Sequence, residues 1–262
     1  MSAPSTAAAA RASRWFRGHR RLDGRPTTRP RIRLLCFPHA GGSPTAFRTW
    51  HRHLPADIEV LAVCYPGRQD RQRDPFPASM DELVTEVTAA VEPLLDVPVA
   101  LFGHSMGALV AYEVALRLAA RPGALPPVRL FVSGAEAPHR LDHSRLPVAD
   151  DEALLDVVRK LGSDAAQALE VPALLDLVLP SIRADFRLLA SYRPTPCTTL
   201  GIPVVACTGD SDPACRIEAV RAWSETTASR FELCVFPGDH FYLEPLEPEL
   251  LGRVRSHLAR TA

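Results

Sequence analysis

Residues 97–115 constrain this chain more than any other stretch. An apolar run, Val97-Pro98-Val99-Ala100-Leu101-Phe102, leads into Gly103-His104-Ser105-Met106-Gly107. A helical pattern follows at once, Ala108-Leu109-Val110-Ala111-Tyr112-Glu113-Val114-Ala115. A strand that passes into a helix through one tight turn tolerates only small groups beside that turn, and the two glycines supply them. Such a turn projects the Ser105 hydroxyl above the sheet and sets N–H groups of the helix N-terminus beside it. Ser105 is therefore the candidate nucleophile, and the chain is committed to mixing strands with helices.

The rest of the chain repeats the alternation. Residues 32–37, 60–65, 128–133, 204–208 and 231–236 are apolar runs of strand length. Met80, Leu83, Val84, Val87, Val91, Leu94 and Leu95 form an i, i+3, i+4 stripe, the mark of an amphipathic helix. Phe47, Trp50, His51 and Leu54 also fall at helical spacing, and segments around 216–228 and 247–260 read as helices. The helix after Ser105 runs to about Arg121 and stops at Pro122-Gly123. Strands alternating with helices predict a mostly parallel sheet covered on both faces.

Residues 138–200 break that rhythm. One helix is expected from Asp150-Asp151-Glu152 to Gly162, with Leu154, Leu155, Val158 and Leu161 on it. A longer one carries Leu174, Val178, Ile182, Phe186 and Leu189, with a kink at Pro180. An all-helical insertion between two strands reads as a lid, leaving residues 31–137 and 201–262 as the core. Residues 1–30 are rich in Ala, Ser, Arg and Pro, hold no acid before Asp23, and read as a flexible tail. Trp15 and Phe16 are its two candidates for docking on the body.

A chain of 262 residues can bury one large core. Its formal net charge of zero lacks the footprint of a nucleic-acid binder. No apolar stretch approaches the roughly 20 residues that span a bilayer. Cys36, Cys64, Cys197, Cys207, Cys215 and Cys234 include no C-x-x-C pair, and four of them sit in strand-like runs. They read as buried thiols of a cytoplasmic protein, not as disulfides or a metal site.

A serine hydroxyl is a weak nucleophile near neutral pH and needs a base, which in turn needs an orienting group. On an α/β-hydrolase scaffold these follow in the order Ser, Asp or Glu, His. His240, just after the last apolar run, is the candidate base. His257 lies in the terminal helix, His51 and His53 do not share a helical face, and His104 packs beside Ser105. Asp210 and Asp212 both follow the preceding strand. Asp212, 28 residues before His240 (240 − 212), is the preferred acid, and Asp210 reads as a brace of the turn. Negative charge on a reacting carbonyl needs two N–H donors. Met106 supplies one and Ala40, in Pro38-His39-Ala40-Gly41-Gly42-Ser43, the other. That loop lacks a P-loop Lys-Ser/Thr ending and dinucleotide spacing, so it is no phosphate cradle. Arg68, Asp70, Arg71 and Arg73 either brace their loop through ion pairs or form a basic docking rim.

Five motifs in order carry a family resemblance: residues 37–43, Tyr65-Pro66-Gly67-Arg68-Gln69-Asp70-Arg71, residues 103–107, Gly209-Asp210-Ser211-Asp212-Pro213, and Gly238-Asp239-His240-Phe241-Tyr242. Together, over residues 31–260, they resemble the type II (external, editing) thioesterases that accompany polyketide synthases and nonribosomal peptide synthetases. Gln69 stands where that family usually has Glu. The resemblance implies an α/β-hydrolase fold and hydrolysis of acyl groups from the phosphopantetheine arm of an acyl or peptidyl carrier protein. It carries the catalytic triad over to Ser105, Asp212 and His240, with no cofactor or metal beyond the arm on the partner. The same triad would also serve a carboxylesterase, a lipase or an acyltransferase. A non-catalytic carrier-binding module would show a broken triad, and here all three positions are filled. Leu174, Val178, Ile182 and Phe186 either line an acyl tunnel or pack on the body.

Overall fold

The computed structural model describes residues 6–18, 29–123, 125–146, 150–162, 171–195 and 199–259. Seven strands form one sheet: β1 Phe16–Gly18, β2 Ile32–Phe37, β3 Ile58–Val63, β4 Val99–His104, β5 Arg129–Ser133, β6 Val204–Gly209 and β7 Phe231–Phe236. Their order is β1-β3-β2-β4-β5-β6-β7. All neighbours pair in parallel except β1 against β3. Among the described residues the α-helices are α1 Thr6–Trp15, α2 Met80–Val91, α3 Met106–Ala119, α4 Asp151–Lys160, α5 Pro172–Ser191, α6 Ile217–Arg221 and α7 Glu247–Ala259. Strand β4, which delivers Ser105, is central and buried throughout.

Consecutive residues of the central strands feed opposite faces, as a period of two demands. Leu35, Phe37 and Leu101 pack with Val84 and Val87 of α2 and Val110 and Val114 of α3. Leu34, Cys36, Ala100 and Phe102 pack with Trp50 and with Leu250, Val254 and Leu258 of α7. Burial on both faces is why these strands read as unbroken apolar runs. Helix starts follow their capping residues. Ser79 accepts from the Glu82 N–H at 3.1 Å before α2, and Asp150 accepts from the Glu152 and Ala153 N–H groups before α4.

Two expectations need correction. Residues 6–18 are not a loose tail. They form α1 and β1, with Trp15 and Phe16 buried. Phe16 pairs with Val63, the Cys64 N–H donates to the Trp15 carbonyl at 2.7 Å, and the Arg71 guanidinium lies 4.0 Å from the Trp15 ring centroid. The segment covers an edge of the sheet that would otherwise expose unpaired backbone groups. The remainder of the expected tail, residues 1–5 and 19–28, falls outside the described residues. Around Phe47 and Trp50 there is no α-helix but two 3₁₀ turns, Pro44–Phe47 and Trp50–Arg52. A spacing of three suits a 3₁₀ turn as well as an α-helix, and Phe47, Trp50 and Leu54 are buried all the same.

Between β5 and β6, the described residues of 138–199 form α4, α5, short 3₁₀ turns and irregular chain. Leu154 and Leu155 of α4 and Ile182 and Phe186 of α5 make a hydrophobic cluster of their own. Helix α5 continues through Pro180. Among the described residues no helix is long and apolar enough to cross a membrane. The five described cysteines are free thiols, and Cys197 lies outside the described residues.

Candidate active site

Ser105 sits between the last residue of β4 and the first of α3, at φ 54° and ψ −123°. A non-glycine residue held there is strained by about 1–3 kcal/mol and persists only where its surroundings over-determine it. They do. A Cβ on Gly103 would stand 2.1 Å from the Gly107 carbonyl oxygen, and one on Gly107 would stand 2.0 Å from that of Phe37. The Ser105 N–H donates to the Ser133 carbonyl at 2.7 Å. The close approach of Gly107 to Phe37 also brings the N-terminus of α3 against the loop after β2.

His240 follows β7, and Asp212 follows β6. The His240 Nδ1 lies 2.8 Å from Asp212 Oδ2, with side chains 2% and 0% exposed. The second Asp212 oxygen accepts from the Ala214 N–H at 2.8 Å. With Nδ1–H donated to the carboxylate, Nε2 is the lone-pair nitrogen. It is buried without a partner among the described residues. Asp210 has the other role expected of it: its Oδ1 accepts from the Gly238 N–H at 3.0 Å and from the Ser211 hydroxyl at 2.9 Å. The Gly238 N–H, followed by the Ser211 hydroxyl, holds the Asp210 carboxyl below its usual range. Asp212, Cys215 and His240 each offer one ligand atom within 4.8 Å of the others. Burial drives the Cys215 thiol well up, and the other two atoms are engaged with each other. The set therefore reads as a buried acid–base pair, not a thiolate metal site.

Two further imidazoles lie near His240. The ring centroids of His104 and His240 are 4.9 Å apart, and those of His39 and Phe241 are also 4.9 Å apart. His104 Nδ1 meets the Ser133 hydroxyl at 3.0 Å, which meets the Tyr242 hydroxyl at 2.7 Å. Desolvation, then the neighbouring His240, pushes His104 well below its ordinary value and His39 down to about 3. Both are neutral neighbours of His240. The roles of His39, Ser133 and Tyr242 were not legible in the sequence, although His39 and Tyr242 both lay inside noted motifs.

Met106 opens α3, so its N–H has no intrahelical acceptor. Ala40 lies in a turn closed by the Gly42 N–H on the His39 carbonyl at 2.9 Å. The Gly41 N–H is taken by Asp185 at 2.7 Å, which leaves Ala40 as the candidate of that loop. Ala40, Ser105 and His240 line one cavity of about 300 Å³. Much of its remaining wall is apolar and comes from α4 and α5, including Val157, Val158, Val178, Ile182 and Phe186. Leu174 does not line it and is 43% exposed. The loop after β3 is braced from inside: Arg68 is buried and paired with buried Asp185, Arg71 is buried and paired with Asp74, and exposed Asp70 pairs with Arg17. Arg73 is exposed.

The fold and this site are those of a hydrolase with a serine at a strand–helix turn. The chain belongs to the thioesterase family, whose domain model (Thioesterase domain) matches residues 32–258. It is 38% identical over 237 residues to Thioesterase PikA5 of Streptomyces venezuelae, covering 90% of this chain and 84% of that protein. It is 38% identical over 234 residues to AMB antimetabolite synthetase AmbE of Pseudomonas aeruginosa, covering 89% of this chain but 11% of that longer protein. Among solved structures it superposes on the type II thioesterase BorB from the borrelidin biosynthetic cluster with a TM-score of 0.80 and 38% identity, over 93% of this chain and 97% of that one. The family resemblance and the α/β-hydrolase fold expected from the sequence both hold. The protein is a thioesterase, an enzyme that hydrolyses thioester bonds.

Proposed function

We propose that this thioesterase clears acyl groups from the phosphopantetheine arm of acyl or peptidyl carrier proteins, in the cytoplasm, through an acyl-Ser105 intermediate. The observation that carries this reading is the cavity that Ser105 and His240 share, with an unpartnered Nε2 on the base and an apolar wall beside it. His240 Nε2 takes the Ser105 proton as Oγ bonds to the thioester carbonyl carbon. The carbonyl oxygen becomes an oxyanion facing the Met106 and Ala40 N–H groups, and removing one such donor costs roughly 100–1,000-fold in rate. The tetrahedral centre collapses, the C–S bond breaks, and the thiol leaves with the proton from His240. Water, deprotonated by the same nitrogen, then releases the acid and frees Ser105. Asp212 holds the imidazole in the required tautomer and offsets its charge when protonated. Helices α4 and α5 act as a lid that shapes the acyl site. No cofactor or metal is required, because the pantetheine arm arrives on the partner.

Ser105→Ala should abolish acyl release from an acylated carrier protein while leaving circular dichroism unchanged; continued release would end the assignment. Asp212→Asn should lower kcat about 1,000–10,000-fold. Asp210→Asn should lower it less than about tenfold, the worth of a hydrogen bond in the turn. Equal losses in the two variants would move the acid. The carrier-bound substrate is tested by comparing kcat/KM on acyl-carrier protein with that on a simple ester of the same chain. Equal or faster ester turnover favours a carboxylesterase or lipase instead.

A further inference from the structure

Helix α5 carries two buried polar residues one turn apart, Ser181 and Asp185, beside the stripe of Val178, Ile182 and Phe186 that lines the cavity. The acid–base chemistry uses neither. The Ser181 hydroxyl donates to the Gly67 carbonyl at 2.8 Å. Asp185 Oδ2 accepts from the Gly41 N–H at 2.7 Å and also from Arg68 Nη2. Arg68 donates through Nη1 to the Pro66 carbonyl at 2.8 Å, and its guanidinium stands 5.2 Å from the Tyr65 ring centroid. Burial lowers that guanidinium to about 10, so it is still charged at neutral pH. A buried ion pair adds little stability over apolar groups of the same shape, which leaves orientation as its contribution.

What it orients is the turn that holds Ala40. Gly41 has φ +75°, and the Gly42 N–H bonds the His39 carbonyl. Together these mark a type II turn over His39–Gly42. Types I and II share that closing bond and differ in the direction of the central peptide, here Ala40–Gly41. In the type II form the Gly41 N–H meets Asp185. After a flip the Ala40 carbonyl would face the carboxylate, acceptor against acceptor, so Asp185 selects the type II form.

We propose that Asp185, paired with Arg68, is a positioning residue that holds the His39–Gly42 turn in its type II form and so fixes the loop that carries the Ala40 N–H beside Ser105. The proposal rests on Ser105 being the nucleophile and Ala40 a donor.

Asp185→Leu combined with Arg68→Met removes both charges together, and the Gly41 N–H and Pro66 carbonyl each lose a partner, so the variant should fold with a melting temperature several degrees below that of the parent. Its kcat on octanoyl-N-acetylcysteamine should fall about 100-fold, the scale of an ångström of misplacement. KM should stay within about threefold. Affinity for an octyl trifluoromethyl ketone, whose serine adduct needs the same donors, should fall by the same factor as kcat. Asp185→Asn keeps an acceptor for Gly41 and should lose about tenfold in both readouts. A folded double variant with parental kcat or parental ketone affinity, or with loss confined to KM, overturns the proposal. If the double variant does not fold, Asp185→Asn decides, and unchanged kcat and ketone affinity in it are the overturning result. A fluorophosphonate probe read by intact mass and peptide mapping tests Ser105 separately. No adduct at Ser105 in the parent chain sinks the nucleophile assignment itself, and the proposal with it.

Discussion

His104 is the neighbour of Ser105 in the chain, yet it serves the site from behind. Its ring lies against His240 and its Nδ1 meets the Ser133 hydroxyl, so the imidazole is a buried neutral spacer. Desolvation is the main reason its pKa is low, with His240 and His39 adding to it. In the unfolded chain the same ring takes up a proton near pH 6.5. Below that pH the unfolded state binds more protons than the folded one, so stability falls as pH drops through about 6.5. His104→Gln cannot titrate but still offers Ser133 a partner. Urea denaturation at pH 7 and pH 5 should therefore show a smaller acid loss in that variant than in the parent. Equal acid sensitivity in the two would mean that His104 is not the group responsible.

At the scale of elements, what could be seen early was whatever a short stretch of chain decides for itself. The Ser105 turn was legible because two glycines at fixed spacing are required by atoms on either side of it. Helix α4 was legible because Asp150 caps it and Gly162, at φ +87°, ends it. Elements that depend on distant partners were not legible. Strand β1 has three residues and takes its order from β3. Asp185 was not singled out in the apolar stripe of its helix, because its partner Arg68 lies 117 residues away in sequence. The opposite end of α5 is tied down in the same long-range way, with the Tyr192 hydroxyl donating to Glu113 at 2.6 Å. The N-terminal segment illustrates the energetic side. Trp15 is 4% exposed and covers the Arg71 guanidinium. Trp15→Ala should cost about 3–5 kcal/mol in urea unfolding if α1 and β1 belong to the cooperative core. A midpoint within error of the parent would show that this segment detaches without the rest noticing.

Over the whole molecule, the sheet and the insertion divide the labour. The loops after β2, β6 and β7 and the turn after β4 bring Ala40, Asp212, His240 and Ser105 to one end of the sheet, while α4 and α5 supply much of the apolar wall. Changing the wall should then alter which acyl chain is processed without altering how it is processed. Val178 is the position at which to test this. It lines the cavity and is only partly buried, so a larger side chain meets a yielding environment and its overpacking cost stays below about 3 kcal/mol. A cavity of about 300 Å³ has little room for an extra ring. Val178→Phe should therefore lower kcat/KM for long acyl thioesters by at least about tenfold, the worth of displacing a methylene or two from an apolar pocket. Acetyl and propionyl thioesters, which need only the space beside Ser105, should keep their rates. A turnover profile from two to twelve or so carbons separates the possibilities. A loss graded with chain length places the acyl group against α5, whereas a uniform loss or none would put the chain along another wall.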